Sequence, residues 1–474
     1  MTRPWKHLEL PDAAGRPLQW GQLYGAAPAL AIAEAAARHS GPLLVLARSP
    51  RHADQLAGEI GFFAAATTEV LLLPDAETLP WDAFSPHPDI TSRRLATLAR
   101  LPALRRGVVV AASQSLLQRL PPPAWTATQG LEIALGDRLD PTALRAQLRD
   151  AGYLAVPQVT EHGEFALRGS LLDLYPMGSE LPFRVDLFDD TVDSIRRFDP
   201  STQRSLDRLE RIRLLPGREY PFSAEAIREF RSRFRERFPG DPSRVGLYRD
   251  VGEGIASGGL EYYLSLFFGE LSTLPEYLPE DALVVEAAQT DAVLEQSWDA
   301  VLERHAQLAH DIERPILDPE EVFIPPDALQ ERLAGFRRLG ISAYKQTGGG
   351  VDLGAAAPPA LKLDPRAEQP AGALLGFLLE FEGRVLFTAE SPGRREMLRS
   401  LLAGHGISVS SVDDWPAFLQ SDASRALTTA PLDEGLLLPA AGLAVIAEAQ
   451  WFGERVRQRT RRRRGARDPE AVIR

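Results

Sequence analysis

The chain has 474 residues, 44% hydrophobic and 25% charged, which is the make-up of a globular protein of about two to four domains rather than of a fibre or a disordered tail. A net charge of −12 excludes a surface that coats nucleic acid along its whole extent, so any such contact has to be local. Without cysteine there are no disulfides, thiolate metal sites or cysteine nucleophiles, as suits a reducing cytoplasm. The start lacks the apolar core of a signal peptide, and no apolar run is long enough to span a bilayer.

In chain order, LAIAEAAARH reads as a helix, GPLLVLARSP as a buried strand and RHADQLAGEIGFFA as the next helix. EVLLLPDAETLP and GVVVAASQSLLQRL continue the alternation, which predicts a mostly parallel sheet before PPPAW punctuates the chain at 121–125. The helix PTALRAQLRDAG follows, and the pattern then changes. FALRGSLLDLYP, FRVDLFDD and VDSIRRFD are short alternating runs between turn residues, as in an antiparallel β module. Helices return with SAEAIREFRSRFRERF, and DALVVEA is again a strand, so the β module interrupts a split α/β domain. Residues 346–372 are rich in Gly, Pro and Ala and read as a linker. A small α/β unit occupies 373–453, and 454–474 forms a tail that carries RTRRRRGAR. The expected boundaries are therefore 1–126 and 219–345 for the split domain and 127–218 for the insertion.

Few residues offer chemistry. The place before the first helix where a phosphate loop would sit reads LYGAAPALAIAE, with Gly25 but no Gly-Lys-Ser/Thr. The eight histidines show no metal-binding spacing. Two readings stand for His162, a general acid/base with Glu161 or Glu164 or a residue that positions its loop. Two also stand for Trp81 and Phe84 in ETLPWDAFSPHPDITSRRLATLARL, ahead of Arg93 and Arg94: anchors for a partner, or aromatic caps that seal a sheet end. The terminal arginines read either as local phosphate affinity or as a solvated end. In FRVDLFDD, Phe183, Val185 and Leu187 form a core face, while Arg184, Asp186 and Phe188 face the other way. Periodicity puts Phe188 on the wrong side for a core.

LLLPDAETLPWDAFSPHPDITSRRLATL, the block EHGEFALRGSLLDLYPMGSELPFRVDLFDDTVDSIRRFDPSTQRS and GLEYYLSLFFGELSTLPEYLP together resemble the N-terminal part of the bacterial transcription-repair coupling factor (Mfd) family. The tail FGERVRQRTRRRRGARDPEAVIR is similar to that family's run toward its polymerase-interaction domain. The resemblance covers nearly the whole chain and is weakest over 355–440. It implies a helicase-like α/β domain with a degenerate P-loop, an inserted β domain that recruits the excision-repair ATPase UvrA, and a small α/β domain of unassigned role. On the family's pattern the UvrA-facing positions fall on Arg168, Arg184 and Phe188, and a C-terminal domain masks that face in the resting protein. It also implies an adaptor with no cofactor of its own. ATP, Mg, RNA polymerase and double-stranded DNA belong to family domains expected after residue 474, which would make this chain a fragment or a truncated product. The competing expectation is a nucleic-acid-binding module that uses the Arg-rich tail.

Overall fold

The computed structural model describes residues 5, 7–128, 130–347, 349–363, 366 and 369–452. Two units are distinguished, one formed by 7–21 and 29–352, the other by 22–28 with the chain from 353 onward.

In the first unit, β1 (Leu18–Gly21), β2 (Pro42–Ala47), β3 (Val70–Leu73) and β4 (Gly107–Ala112) alternate with α1 (Ala27–Arg38), α2 (Pro50–Phe63) and α3 (Pro88–Arg100). β2 and β4 are continuous apolar runs and are buried at every residue, as parallel strands covered on both faces must be. α2 and α3 start where the sequence offers a cap: Ser49 Oγ accepts from the N–H of His52, the His87 ring from that of Asp89, and a proline follows each cap.

α4 (Pro123–Thr128) leads into the inserted module. Its elements are β5 (Leu131–Ala134), α5 (Pro141–Asp150), β6 (Leu154–Ala155), β7 (Glu164–Arg168), β8 (Leu171–Leu174), β9 (Phe183–Phe188), β10 (Thr191–Phe198), β11 (Ser205–Leu209) and β12 (Arg211–Leu214). The last six strands before β12 form one sheet in the order β11-β10-β9-β8-β7-β6, antiparallel except for the short β6–β7 pair. β5 and β12 pair with each other, Leu131 opposite Leu214. One sheet face packs Phe165, Leu172, Leu174, Phe183, Val185 and Leu187 against Leu144 and Leu148 of α5.

The α/β domain then resumes through α6 (Ala224–Arg237), α7 (Gly246–Gly252), α8 (Leu264–Phe268), β13 (Leu283–Ala287), α9 (Thr290–Leu308), α10 (Pro319–Val322), α11 (Pro326–Leu333), β14 (Arg337–Ile341) and β15 (Val351–Asp352). The sheet order β15-β1-β14-β13-β2-β4-β3 is parallel throughout, so strands from both sides of the insertion build one sheet. β15 corrects the linker reading of 346–372 at its start: Val351 and Asp352 pair beside Trp20 and Gly21. Two residues are too short to show a period of two.

The second unit holds α12 (Gly372–Glu380), β16 (Arg384–Ala389), α13 (Pro392–Gly404), β17 (Ser410–Ser411), α14 (Trp415–Gln420), β18 (Arg425–Thr429), β19 (Leu436–Leu438), β20 (Leu443–Ala447) and α15 (Ala449–Phe452). Its sheet runs β17-β18-β16-β20-β19 and is parallel except for β19. The fold is thus a split α/β domain with a parallel sheet, an inserted and mainly antiparallel β module, and a small α/β domain.

Candidate partner-docking surface

The face of the module sheet opposite its main core begins as a second, small core: Val159, Ala166, Tyr175 and Phe198 are buried together. Beyond it the same face turns polar. Asp173 on β8 has no exposed side-chain surface, and two arginines converge on it. Arg184 on β9 donates from Nε to Oδ1 at 2.7 Å and from Nη2 to Oδ2 at 2.9 Å, while Arg168 on β7 donates from Nη2 to Oδ2 at 2.7 Å. Register explains the convergence, because Asp173 stands opposite Arg184 on one side and Ala166 on the other. Arg184 also lies 4.8 Å over the Phe198 ring and donates to the Gln203 carbonyl. The hydrogen bonds to Asp173 hold its guanidinium proton more tightly than usual, against the opposing effect of burial. Asp186 accepts from Ser194 Oγ at 2.6 Å.

Phe188 ends the row at the two-residue β9–β10 connection and is 74% exposed. Asp189, the next residue, has φ of 57°. The neighbouring β7–β8 connection turns through Gly169 at φ of 61°, and Leu187 N–H donates to Ser170 O at 2.8 Å, so both hairpin ends lie side by side. Arg168, half exposed, stands at one of those ends. Of the three expected partner-facing residues, then, Phe188 is open, Arg168 is partly open and Arg184 is mostly enclosed. Arg184 is therefore a structural residue as well as a member of this face, because it neutralises a fully buried carboxylate. The sequence reading missed Asp173; its signal was an acidic residue between Leu172 and Leu174 in a strand otherwise apolar.

The other candidates resolve as follows. The His162 ring lies 2.7 Å from Asp89 Oδ1 through Nδ1 and 2.7 Å from the Ser179 carbonyl through Nε2, and it packs at a tilt against the Tyr175 ring. It is therefore engaged in positioning its loop. Trp81 and Phe84 divide the two readings between them: Trp81 is buried against Phe323, whereas Phe84 is 74% exposed. Arg94 is buried and Arg93 is not. Among the described residues no cluster of His, Asp and Glu has metal-holding geometry. An open cavity of about 300 Å³ is lined by Arg233, Arg237 and Glu321, with both arginines already paired to carboxylates. At the expected phosphate-loop position, Gly25 has φ of 58° and Ala26 N–H donates to the Gly435 carbonyl at 2.9 Å. A Cβ on Gly25 would meet Gly435 O at 2.1 Å and Pro358 at 2.6 Å, so the space beside the loop is filled by protein. The tail arginines lie outside the described residues. No helix among those described is long and apolar enough to cross a membrane.

Residues 131–220 match the family model of the UvrB interaction domain, and 377–451 match that of the MFD D3 domain. The chain is 39% identical over 471 residues to the transcription-repair-coupling factor of Escherichia coli (strain K12), across 98% of this chain and 40% of that relative. The corresponding factor of Haemophilus influenzae is 37% identical over 460 residues, covering 96% and 40%. That of Myxococcus xanthus is 27% identical over 501 residues, covering 97% and 41%. The chain thus spans about two fifths of the length of the curated relatives it matches.

Proposed function

We propose, for a chain that belongs to the transcription-repair-coupling factor family, that its β module is the adaptor that captures UvrA and so recruits excision repair to RNA polymerase stalled at DNA lesions. The observation that carries this reading is Phe188, a large apolar side chain held 74% exposed on a hairpin end of the module that matches the UvrB interaction domain. An exposed aromatic flanked by an arginine is the composition of a binding hot spot. Arg168 is an accessible cation at the hairpin end of the face, and Arg184 sets the face's shape through Asp173.

In this reading the chain hydrolyses no nucleotide. The N–H of Ala26, which a phosphate loop would aim at its anion, is taken by Gly435, and no lysine follows. ATP and Mg, contacts with RNA polymerase and the motor's grip on double-stranded DNA fall to other parts of the longer relatives, one of which masks the Phe188 face at rest. The setting is the cytoplasm.

The test is capture of the chain by immobilised UvrA. Phe188→Ala is expected to weaken capture by roughly 1–4 kcal/mol, as for a central anchor. Full capture by the folded F188A variant would end the adaptor reading of this face.

A further inference from the structure

α6 carries five arginines, and they fall into two groups. Arg233 pairs with Glu229, and Arg237 with Asp318 and Glu321, on the flank that meets α8 and α10. Arg228, Arg231 and Arg235 stand at i, i+3 and i+7, which places them in one stripe about 10 Å long on a different flank. None of these three forms an ion pair among the described residues. α7 lies alongside the stripe: Arg231 sits 4.8 Å over the Tyr248 ring, and Arg235 donates to the Tyr248 hydroxyl at 3.4 Å. Next to Tyr248, Arg249 is exposed, and Arg244 is exposed just before α7. Among the described residues neither Arg244 nor Arg249 forms an ion pair, although Arg244 contributes to the field around Asp241, whose carboxylate is bound to Ser243. The carboxylates of Glu225, Glu229 and Glu236 project on the flank between the two arginine groups. In a chain of net charge −12, five unneutralised guanidinium groups are gathered on adjoining elements.

We propose that this α6–α7 stripe binds the phosphate backbone of duplex nucleic acid without reading its sequence. Guanidinium groups suit phosphate oxygens, which they hold with paired N–H donors. A protein partner would need an apolar anchor among the arginines, and no large hydrophobic side chain of α6 or α7 is strongly exposed; Ile255, 53% exposed, lies beyond the end of α7. A single strand would need an open aromatic platform, but Phe230, Phe234 and Tyr248 are all buried. What remains is backbone attraction, the sequence-independent part of duplex binding.

Fluorescence anisotropy of the full chain with a labelled duplex of arbitrary sequence, across a salt series and without UvrA, tests the proposal. Each lost arginine–phosphate contact should lower the slope of log affinity against log salt by about 0.9. R228Q/R231Q/R235Q should therefore bind at least about tenfold more weakly at low salt, with a visibly shallower slope. R244E/R249E, which leaves the Arg231–Tyr248 packing untouched, should also weaken binding and keeps the test decisive if the triple variant misfolds. R461Q/R462Q/R463Q/R464Q separates the tail, and with those four removed the stripe-dependent share of binding should persist. Wild-type affinity and slope in both stripe variants, a preference for single strands, or no duplex binding by the wild-type chain would overturn it.

Discussion

Two guanidinium groups and one buried carboxylate decide how the residues of the docking face should behave. Removing Arg184 leaves Asp173 with Arg168 alone, and a buried carboxylate stripped of a bidentate partner is costly. Arg184→Ala is expected to lower stability by about 2–3 kcal/mol, measurable by chemical denaturation, whereas Phe188→Ala should shift it by no more than about 0.5 kcal/mol. Equal stability of both variants would refute the structural role of Arg184. Phe188 was legible in the sequence because alternation shows which way a strand residue points. The burial of Arg184 was not, because its cause is a residue on the neighbouring strand and a ring, Phe198, underneath. His52 offers a titration at the same scale. Burial, and secondarily Arg48, lower its pKa from 6.5 to about 4. The unfolded chain therefore takes up a proton near pH 6.5 that the folded chain refuses until about pH 4, so stability is constant above that window and falls as pH drops through it. Thermal melts between about pH 7 and pH 4.5 should decline less steeply for His52→Gln than for wild type. Parallel declines would exclude the linkage.

At the scale of elements, α3 is the bolt between the split domain and its insertion. Asp89 holds His162, Ser92 Oγ accepts from Gly178 N–H at 2.8 Å, and Arg94 meets Glu219 on the segment that returns from the module. Arg94 also donates to the Pro74 carbonyl and to Gln118, so one buried side chain ties β3, the segment after β4 and the returning chain together. Arg94→Met should cost about 3–5 kcal/mol because it strands Glu219 in the interior. The double change R94M/E219M should recover most of that loss in urea unfolding, and a double variant no better than the single one would show that packing, not charge, is at stake. The helix itself was plain from its start signal and its period. Which of two adjacent arginines turns inward was not, since the partner is 125 residues away. The paired aromatics Trp81 and Phe84 escaped for the same reason: the residues that cover Trp81 include Phe323, far along the chain.

For the whole molecule, the order of parallel sheet, β insertion, parallel sheet and small α/β domain was readable because the spacing of apolar residues changes twice along the chain. That no Gly-Lys-Ser/Thr follows Gly25 was readable as well, but the packing around that turn was not. Only the folded chain shows the Gly435 carbonyl on the Ala26 N–H. The isolated chain is expected to show no ATP hydrolysis above background and no shift in melting temperature with Mg-ATP. Hydrolysis abolished by a substitution within 22–28 would contradict this. The pairing of β5 with β12 has one more consequence. Leu131 and Leu214 are cross-strand neighbours, so the host domain is interrupted by a gap no wider than one strand pair, about 5 Å. Everything between them leaves and rejoins the chain at a single seam. The module is in that sense a cassette, able to be lost, exchanged or re-tuned for another partner while the sheet that carries it keeps its own strand order.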